Sequence, residues 1–81
     1  MLEELQTRNR HVGFKQSLKA VESGKAVKVF LAQNVDPQMK QIMERMCSEK
    51  QVPIESAPSM NELGRACGIN IGAAAAVITS D

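Results

Sequence analysis

Two kinds of apolar pattern alternate along all 81 residues with no linker between them, and this restricts the fold more than any other feature. Val27, Lys28, Val29, Phe30, Leu31 and Ala32 form a run rich in β-branched and aromatic residues, which predicts a buried strand over 27–32. Asp36-Pro37 follows, pairing a good N-cap residue with a proline suited to the first helical position. From there to about Lys50, the residues Met39, Ile42, Met43, Met46 and Cys47 recur at helical spacing. That stripe predicts a helix laid against a sheet. A methionine-lined binding groove is the competing reading, with core packing favoured.

The same alternation extends to both sides. Residues 2–9 read as a short helix with Leu2 and Leu5 on one side, and 10–12 as a short strand. A clearer helix spans 14–23, with Phe14, Ser17, Leu18 and Val21 facing inward and Lys15, Gln16, Lys19 and Glu22 facing outward. Gly24 is its left-handed stop. Residues 52–56 read as a strand that Pro53 marks as an edge or a start. Ser59-Met60-Asn61-Glu62 is a capping box opening a helix that ends near Cys67, with Gly68 as its cap. A glycine-flanked loop over 69–72 leads to a last buried strand over 73–79, whose small residues suit close packing by helices. Four strands alternating with four helices predict one α/β domain over 1–81, with helices on both faces of the sheet.

The totals narrow the function. A chain this short buries only about 60% of its unfolded surface and has little core to spare for a deep catalytic cleft. His11 is the sole histidine, and Cys47 and Cys67 stand twenty positions apart with no CxxC pattern, so a zinc site lacks ligands. A thiol enzyme using Cys47 or Cys67 with His11 is the only nucleophilic arrangement on offer. No Walker loop or GxGxxG is present, and no cofactor is expected. No apolar run approaches a membrane span and no signal peptide is visible, so a cytoplasmic protein is expected. The two cysteines are expected to be buried free thiols.

Aromatic residues number two, Phe14 and Phe30. A single-strand binder that stacks bases on aromatic platforms is therefore hard to build. If nucleic acid is the ligand, folded shape and groove edges must be read instead. Net charge is only +1, but residues 1–28 carry six bases against three acids. Such polarity suits a local anionic partner, and a chance fluctuation accounts for it equally.

Two segments carry most of the functional signal. In Gly13-Phe14-Lys15-Gln16-Ser17-Leu18-Lys19, a glycine opens a helix whose first-turn N–H groups favour an anion. Lys15 and Lys19 share one exposed side with Gln16 beside them, and lysine and glutamine both suit base edges. A solvated helix face explains the same residues. In Leu63-Gly64-Arg65-Ala66-Cys67-Gly68-Ile69-Asn70-Ile71-Gly72, branched apolar residues in a loop could cover an unstacked base, or could simply tuck into the core.

On these two segments the chain resembles the kink-turn RNA-binding family of ribosomal proteins, of the archaeal large-subunit type, and within it the small bacterial YbxF-type branch. The resemblance spans about Val12 to Thr79 and includes the Asp36-Pro37 and Ser59 helix starts and the LGRACG run. The family pattern is a glycine, a small residue, Asn-Glu, and a lysine three positions later. Here Phe14, Lys15 and Gln16 stand in place of the small residue, Asn and Glu. The Phe14 ring either turns into the core or crowds the ligand.

The resemblance implies a three-layer α-β-α sandwich with a mixed four-stranded sheet. It implies a ligand, RNA bent sharply at a bulge beside tandem sheared G·A pairs, in a riboswitch or on the ribosome. Gly13, Lys15, Gln16 and Lys19 match the positions that meet the G·A pairs and nearby phosphates. Ile69, Asn70 and Ile71 match the loop that packs on the bulge, and Asp36 and Met60 match peripheral contacts. A monomer with no DNA or membrane partner and no catalytic activity is expected. The alternative function is a protein-interaction module on the same fold.

Overall fold

The computed structural model describes Leu5 and residues 9–80. Four strands form one sheet: β1 (Arg10–Val12), β2 (Ala26–Ala32), β3 (Ile54–Ala57) and β4 (Ala75–Thr79). Three helices are present among the described residues: α1 (Phe14–Glu22), α2 (Pro37–Lys50) and α3 (Met60–Ala66). Four were expected. The fourth, over 2–9, lies outside the described residues save Leu5 and Asn9. Leu5 itself is fully buried in the core.

The strand order is β1-β4-β2-β3. β4 is antiparallel to both neighbours and β2 is parallel to β3, which makes the sheet mixed, as expected. β1 and β2 therefore run the same way on either side of β4, and α1, which joins them, crosses over β4 and packs on it. α2 makes the second crossover, from β2 to β3, and packs on α1. α3 packs on β2, β3 and β4. Every residue of β4 is buried, as is the last stretch of β2 from Val29 to Ala32. Burial of consecutive residues means both faces of the central strands are covered, which is why neither strand alternates apolar and polar residues.

Side-chain size explains the pairing at the centre. Phe30 of β2 faces Ala76 of β4, and Leu31 faces Ala75. The small residues of β4 make room for the larger ones opposite. Val29, Phe30, Val77 and Ile78 are all fully buried, with Val21 of α1, Met43 and Cys47 of α2 and Leu63 of α3 packed against them. The α2 stripe is narrower than its periodicity suggested. Met43 and Cys47 are buried and Met39 and Met46 half-buried, but Ile42 is 48% exposed. The reason is that α2 rests mainly on α1, which takes a narrow seam, where a sheet would take a wide face. At the β2–β3 edge, Lys28 Nζ lies 2.7 Å from Glu55 Oε1 and holds that carboxyl below the usual carboxylate range.

Two buried hydroxyls, those of Ser17 and Thr79, are out of keeping with their surroundings, and Ser17 is the deeper. Ser17 is fully buried and its Oγ has no hydrogen-bond partner among the described residues. An unmet hydroxyl in the interior costs about 1–3 kcal/mol. Ser17→Ala is therefore expected to raise the urea midpoint, by about 1–2 kcal/mol of stability once helix propensity is included. A lower midpoint would show that the hydroxyl has a partner in solution.

Candidate nucleic-acid interface

The sheet register gathers four connections at one end of the molecule. β4 begins where β1 and β2 end, since Val12 pairs with Ala76 and Leu31 with Ala75. β3 ends there too, with Ala57 beside Ala32. The start of α1, the turn before α2, the start of α3 and the loop into β4 must all converge on this end. Backbone hydrogen bonds tie them together. The Gly13 N–H donates to the Ala75 carbonyl at 2.8 Å, Ala32 N–H to Ala74 at 3.0 Å, and Gln33 N–H to Ala57 at 2.9 Å. The Ala73 N–H donates to the Met60 carbonyl at 3.0 Å, and the Met60 N–H donates to Asn34 Oδ1 at 2.9 Å.

α1 enters this end with its first turn open. Gly13 is its N-cap, at φ 119° and ψ 153°, with no side-chain cap and no acid in the first turn. A positive φ of that size favours glycine, whereas the space around its Cα is loose, the nearest atom to an added Cβ being Gln16 Cγ at 3.9 Å. Gly13 is thus required by backbone conformation, and it leaves the surface at the start of α1 open. Lys15, Gln16 and Lys19 are all exposed, and line a shallow hollow with Leu18 and Glu22. A second hollow continues past Gln16 and Lys19 to His11, Ser23 and Lys25. The side of α1 that faces solvent is therefore a cationic track. Phe14 is half-buried and packs on the core, so its ring does not lie over this face.

The second expected segment is a rigid corner. α3 ends in a left-handed stop, with Gly68 at φ 79°. The Ile69 N–H reaches back to the Gly64 carbonyl at 3.0 Å, and the Gly68 N–H to Arg65 at 3.0 Å. Only one isoleucine of the pair tucks in. Ile69 is half-buried against the core, whereas Ile71 is 74% exposed, beside an exposed Asn70. Asp36 is exposed, and its Oδ1 accepts from the Gln38 N–H at 2.8 Å, so its carboxylate is engaged as a helix cap. Met60 is half-buried at the start of α3, where Ser59 Oγ accepts from the Glu62 N–H at 3.1 Å. Eight of the nine expected residues are therefore on or next to this end, whereas Lys19 is in the last turn of α1 and lines the hollow that runs on to Lys25 and Thr79.

The two cysteines are free and buried. Burial pushes both thiols above their ordinary value, and Arg10 only partly offsets this at Cys67. A thiol held in its protonated form is a poor nucleophile. Among the described residues no group of three or more histidine, cysteine or carboxylate side chains could hold a metal ion. No helix among them is long and apolar enough to cross a membrane.

Comparison with known proteins bears directly on this geometry. The family model described as Ribosomal protein L7Ae/L30e/S12e/Gadd45 family matches residues 2–81. The chain belongs to that family. It is 44% identical over 63 residues to RNA-binding protein BH0128 of Halalkalibacterium halodurans, covering 78% of this chain and 77% of the relative. It is also similar to RNA-binding protein YbxF of Geobacillus stearothermophilus, at 36% identity over 67 residues, covering 83% and 82% of the two chains. Among solved structures, the Giardia lamblia 15.5kD RNA binding protein superposes with a TM-score of 0.83 at 32% identity, over 99% of this chain and 66% of that one. The chain is thus an L7Ae-type bacterial family member.

Two residues of this family member shape this end of the sheet and were not singled out from the sequence. Asn34 clamps the first turn of α3 through its side-chain oxygen, and an Asn in a turn gave no sign of which backbone it would meet. Gly64 lies inside α3, where a Cβ would overlap the carbonyl oxygen of Ile71 and sit 3.3 Å from Gly72 Cα. A lone glycine within a helical pattern was the available signal.

Proposed function

We propose that this protein binds RNA at the end of the sheet where α1 begins, and that its ligand is a kink-turn, a duplex bent at a bulge beside tandem sheared G·A pairs. The observation that carries the reading is that the uncapped, acid-free first turn of α1 and the loop at 69–72, with Ile71 exposed, share one end of the sheet. A bend in the ligand lets both features be engaged at once. α1 enters the major groove that the bend has opened, with Lys15, Gln16 and Lys19 toward guanine edges and phosphates. Ile69, Asn70 and Ile71 pack on the bulge nucleotides. Asp36 and Met60 flank the contact.

The relatives named as RNA-binding proteins support the coarser half of this proposal. Shape supports the finer half. With a net charge of +1 the chain cannot hold RNA by bulk attraction alone, so selectivity must come from a preformed surface that fits one bent geometry. Binding then draws the bent form out of the equilibrium between extended and folded RNA. The natural carrier of the motif is ribosomal RNA or a riboswitch.

Lys19→Ala is expected to weaken kink-turn binding by about 1–3 kcal/mol and to lower the salt slope by about one. Its stability should be unchanged, because Lys19 is exposed and outside the core. The deciding comparison is a gel shift of the wild-type chain on a kink-turn duplex and on the same duplex with its G·A pairs made Watson–Crick. Equal affinity for the two RNAs would rule out kink-turn recognition.

A further inference from the structure

We infer that the hollow between the last turn of α1 and the far end of β4 is a phosphate site, which takes a small free ligand such as pyrophosphate and competes with RNA for Lys19. The site itself stands on the geometry of that hollow. Only the competition rests on the RNA reading above.

The hollow lies at the opposite end of the sheet from the first turn of α1. β4 ends there with Thr79, and β1 and β2 begin there, since Arg10 pairs with Ile78 and Ala26 with Thr79. Thr79 is four residues along β4 from Ala75, about 13 Å at the rise of an extended strand. The cavity has a volume of about 200 Å³, and its polar lining is His11, Gln16, Lys19, Ser23, Lys25 and Thr79. That is smaller than the ~300–1,000 Å³ of a site for a drug-sized molecule, and it suits one or two phosphoryl groups.

Three observations give this hollow the chemistry of an anion site. First, two ammonium groups, an imidazole and a primary amide line it, and no carboxylate does. Second, Thr79 is 4% exposed, and its Oγ1 is buried with no hydrogen-bond partner among the described residues. His11 pairs with Val77, so His11, Val77 and Thr79 share the sheet face on which α1 lies. The hydroxyl can donate to an oxygen seated in the hollow. Third, the carbonyls that end α1, which would repel an anion, are already engaged. The Lys19 carbonyl accepts from the Ser23 N–H at 3.0 Å and the Val21 carbonyl from the Gly24 N–H at 3.2 Å. The Ala20 carbonyl accepts from the Lys25 N–H at 3.0 Å and from Ser23 Oγ at 3.2 Å. The negative end of the helix is thus taken up by its own closing turn.

The place of the hydroxyl decides between a free ligand and the backbone of a duplex. A duplex phosphate meets the exposed tips of side chains, whereas Thr79 is reached only by a group small enough to enter the hollow. A second hollow shares His11 and Thr79, adds Asn9 and Arg10, and leaves room for a second phosphoryl group. Gln16 and Lys19 line both the phosphate hollow and the one that holds Lys15. An occupied site therefore draws the Lys19 ammonium away from the RNA groove.

Isothermal titration calorimetry of the whole chain with sodium pyrophosphate at fixed ionic strength tests the site. One saturable site is expected. Lys25→Gln is expected to weaken it about tenfold or more, and Thr79→Val, which keeps the shape and removes the hydroxyl, about threefold or more. Because the hydroxyl has no partner in the protein, Thr79→Val should not lower the urea midpoint, and its loss of affinity then reports the hydroxyl and not the fold. Absence of saturable binding, or binding untouched by both variants, overturns the site, and Lys25→Gln decides alone should Thr79→Val not fold. Fluorescence anisotropy with a kink-turn duplex reads the competition. Pyrophosphate is expected to raise the wild-type Kd about fivefold beyond sodium chloride of the same ionic strength, and that of Lys25→Gln less. Pyrophosphate that binds without displacing RNA overturns the sharing of Lys19. If pyrophosphate binds and the duplex does not, the site stands and the RNA reading fails; if the duplex binds and pyrophosphate does not, the reverse holds. Loss of RNA affinity in Lys25→Gln, with no uptake of pyrophosphate by the wild type, would give the hollow to the RNA backbone and overturn the free-ligand site.

Discussion

Gly64→Ala is expected to weaken RNA binding about tenfold or more, a change of about 1.4 kcal/mol, while lowering the unfolding free energy by about 1–3 kcal/mol. Both effects come from one methyl group. Gly64 is buried in α3, and a Cβ there would overlap the Ile71 carbonyl oxygen and press on Ile71 C at 3.1 Å. These are backbone atoms, so no side-chain rotation relieves the clash. The loop cannot retreat freely either. Its far end is hemmed at Gly72, where an added Cβ would meet Met60 Cβ at 3.2 Å, and Ala73 is tied to the Met60 carbonyl.

Either α3 must move away or the segment bearing Asn70 and Ile71 must be displaced outward. In the first case packing of Leu63 is lost, and in the second the loop proposed to face RNA changes shape. Urea unfolding gives the first quantity, as a lower midpoint at unchanged slope. Anisotropy at a temperature where the variant is fully folded gives the second. Wild-type affinity in a destabilised but folded Gly64→Ala would mean that the loop can shift without the RNA sensing it, and would remove the loop from the interface.

The elements that carry strong local chemistry are legible in the amino-acid sequence. Asp36-Pro37 and Ser59 mark helix starts because a side-chain oxygen there meets a free amide, and each does so at the expected position. The β-branched run of β2 and the small-residue run of β4 pair as neighbours, which is why neither alternates. Edges were less sharp. The strand expected over 52–56 begins two residues later, at Ile54, because Pro53 lacks an N–H and contributes only its carbonyl, to Val29 at 3.0 Å. Ile42 was expected inside and is half exposed, since periodicity reveals a face but not how wide a neighbour will cover it.

The candidate site was legible in its residues and not in its assembly. Lys15, Lys19 and Gln16 could be placed on one outward side of α1 from spacing alone, and they are exposed. That the 69–72 loop shares the end of the sheet where α1 begins follows from β4 running antiparallel between β1 and β2, a pairing no local pattern encodes. The fate of the two isoleucines was open for the same reason. Ile69 follows the closing turn inward, and Ile71, two residues on, is left outside.

Phe30→Ala is expected to abolish RNA binding by a route opposite to that of Lys19→Ala. Truncating a fully buried phenylalanine costs about 3–5 kcal/mol, from lost transfer free energy and the cavity left behind. An 81-residue domain has a total stability of about 4–12 kcal/mol, so this one substitution removes a large share of it. Relief by collapse is blocked on the β4 side, where the ring faces Ala76, too small to fill the gap. It is poor at the edge as well, where Lys28 Nζ stands 5.2 Å from the ring centroid and is engaged with Glu55.

In an RNA-binding protein the loss of an aromatic residue is ordinarily attributed to lost base stacking. Here the ring is at 0% exposure, so the loss must track the folded fraction. Far-ultraviolet circular dichroism and anisotropy measured over the same temperature range should give coincident curves for Phe30→Ala. For Lys19→Ala, affinity should fall at every temperature while the fold stays intact. A Phe30→Ala chain that is fully folded and yet does not bind would place the ring in contact with RNA, and would require the face of the sheet that now covers it to open.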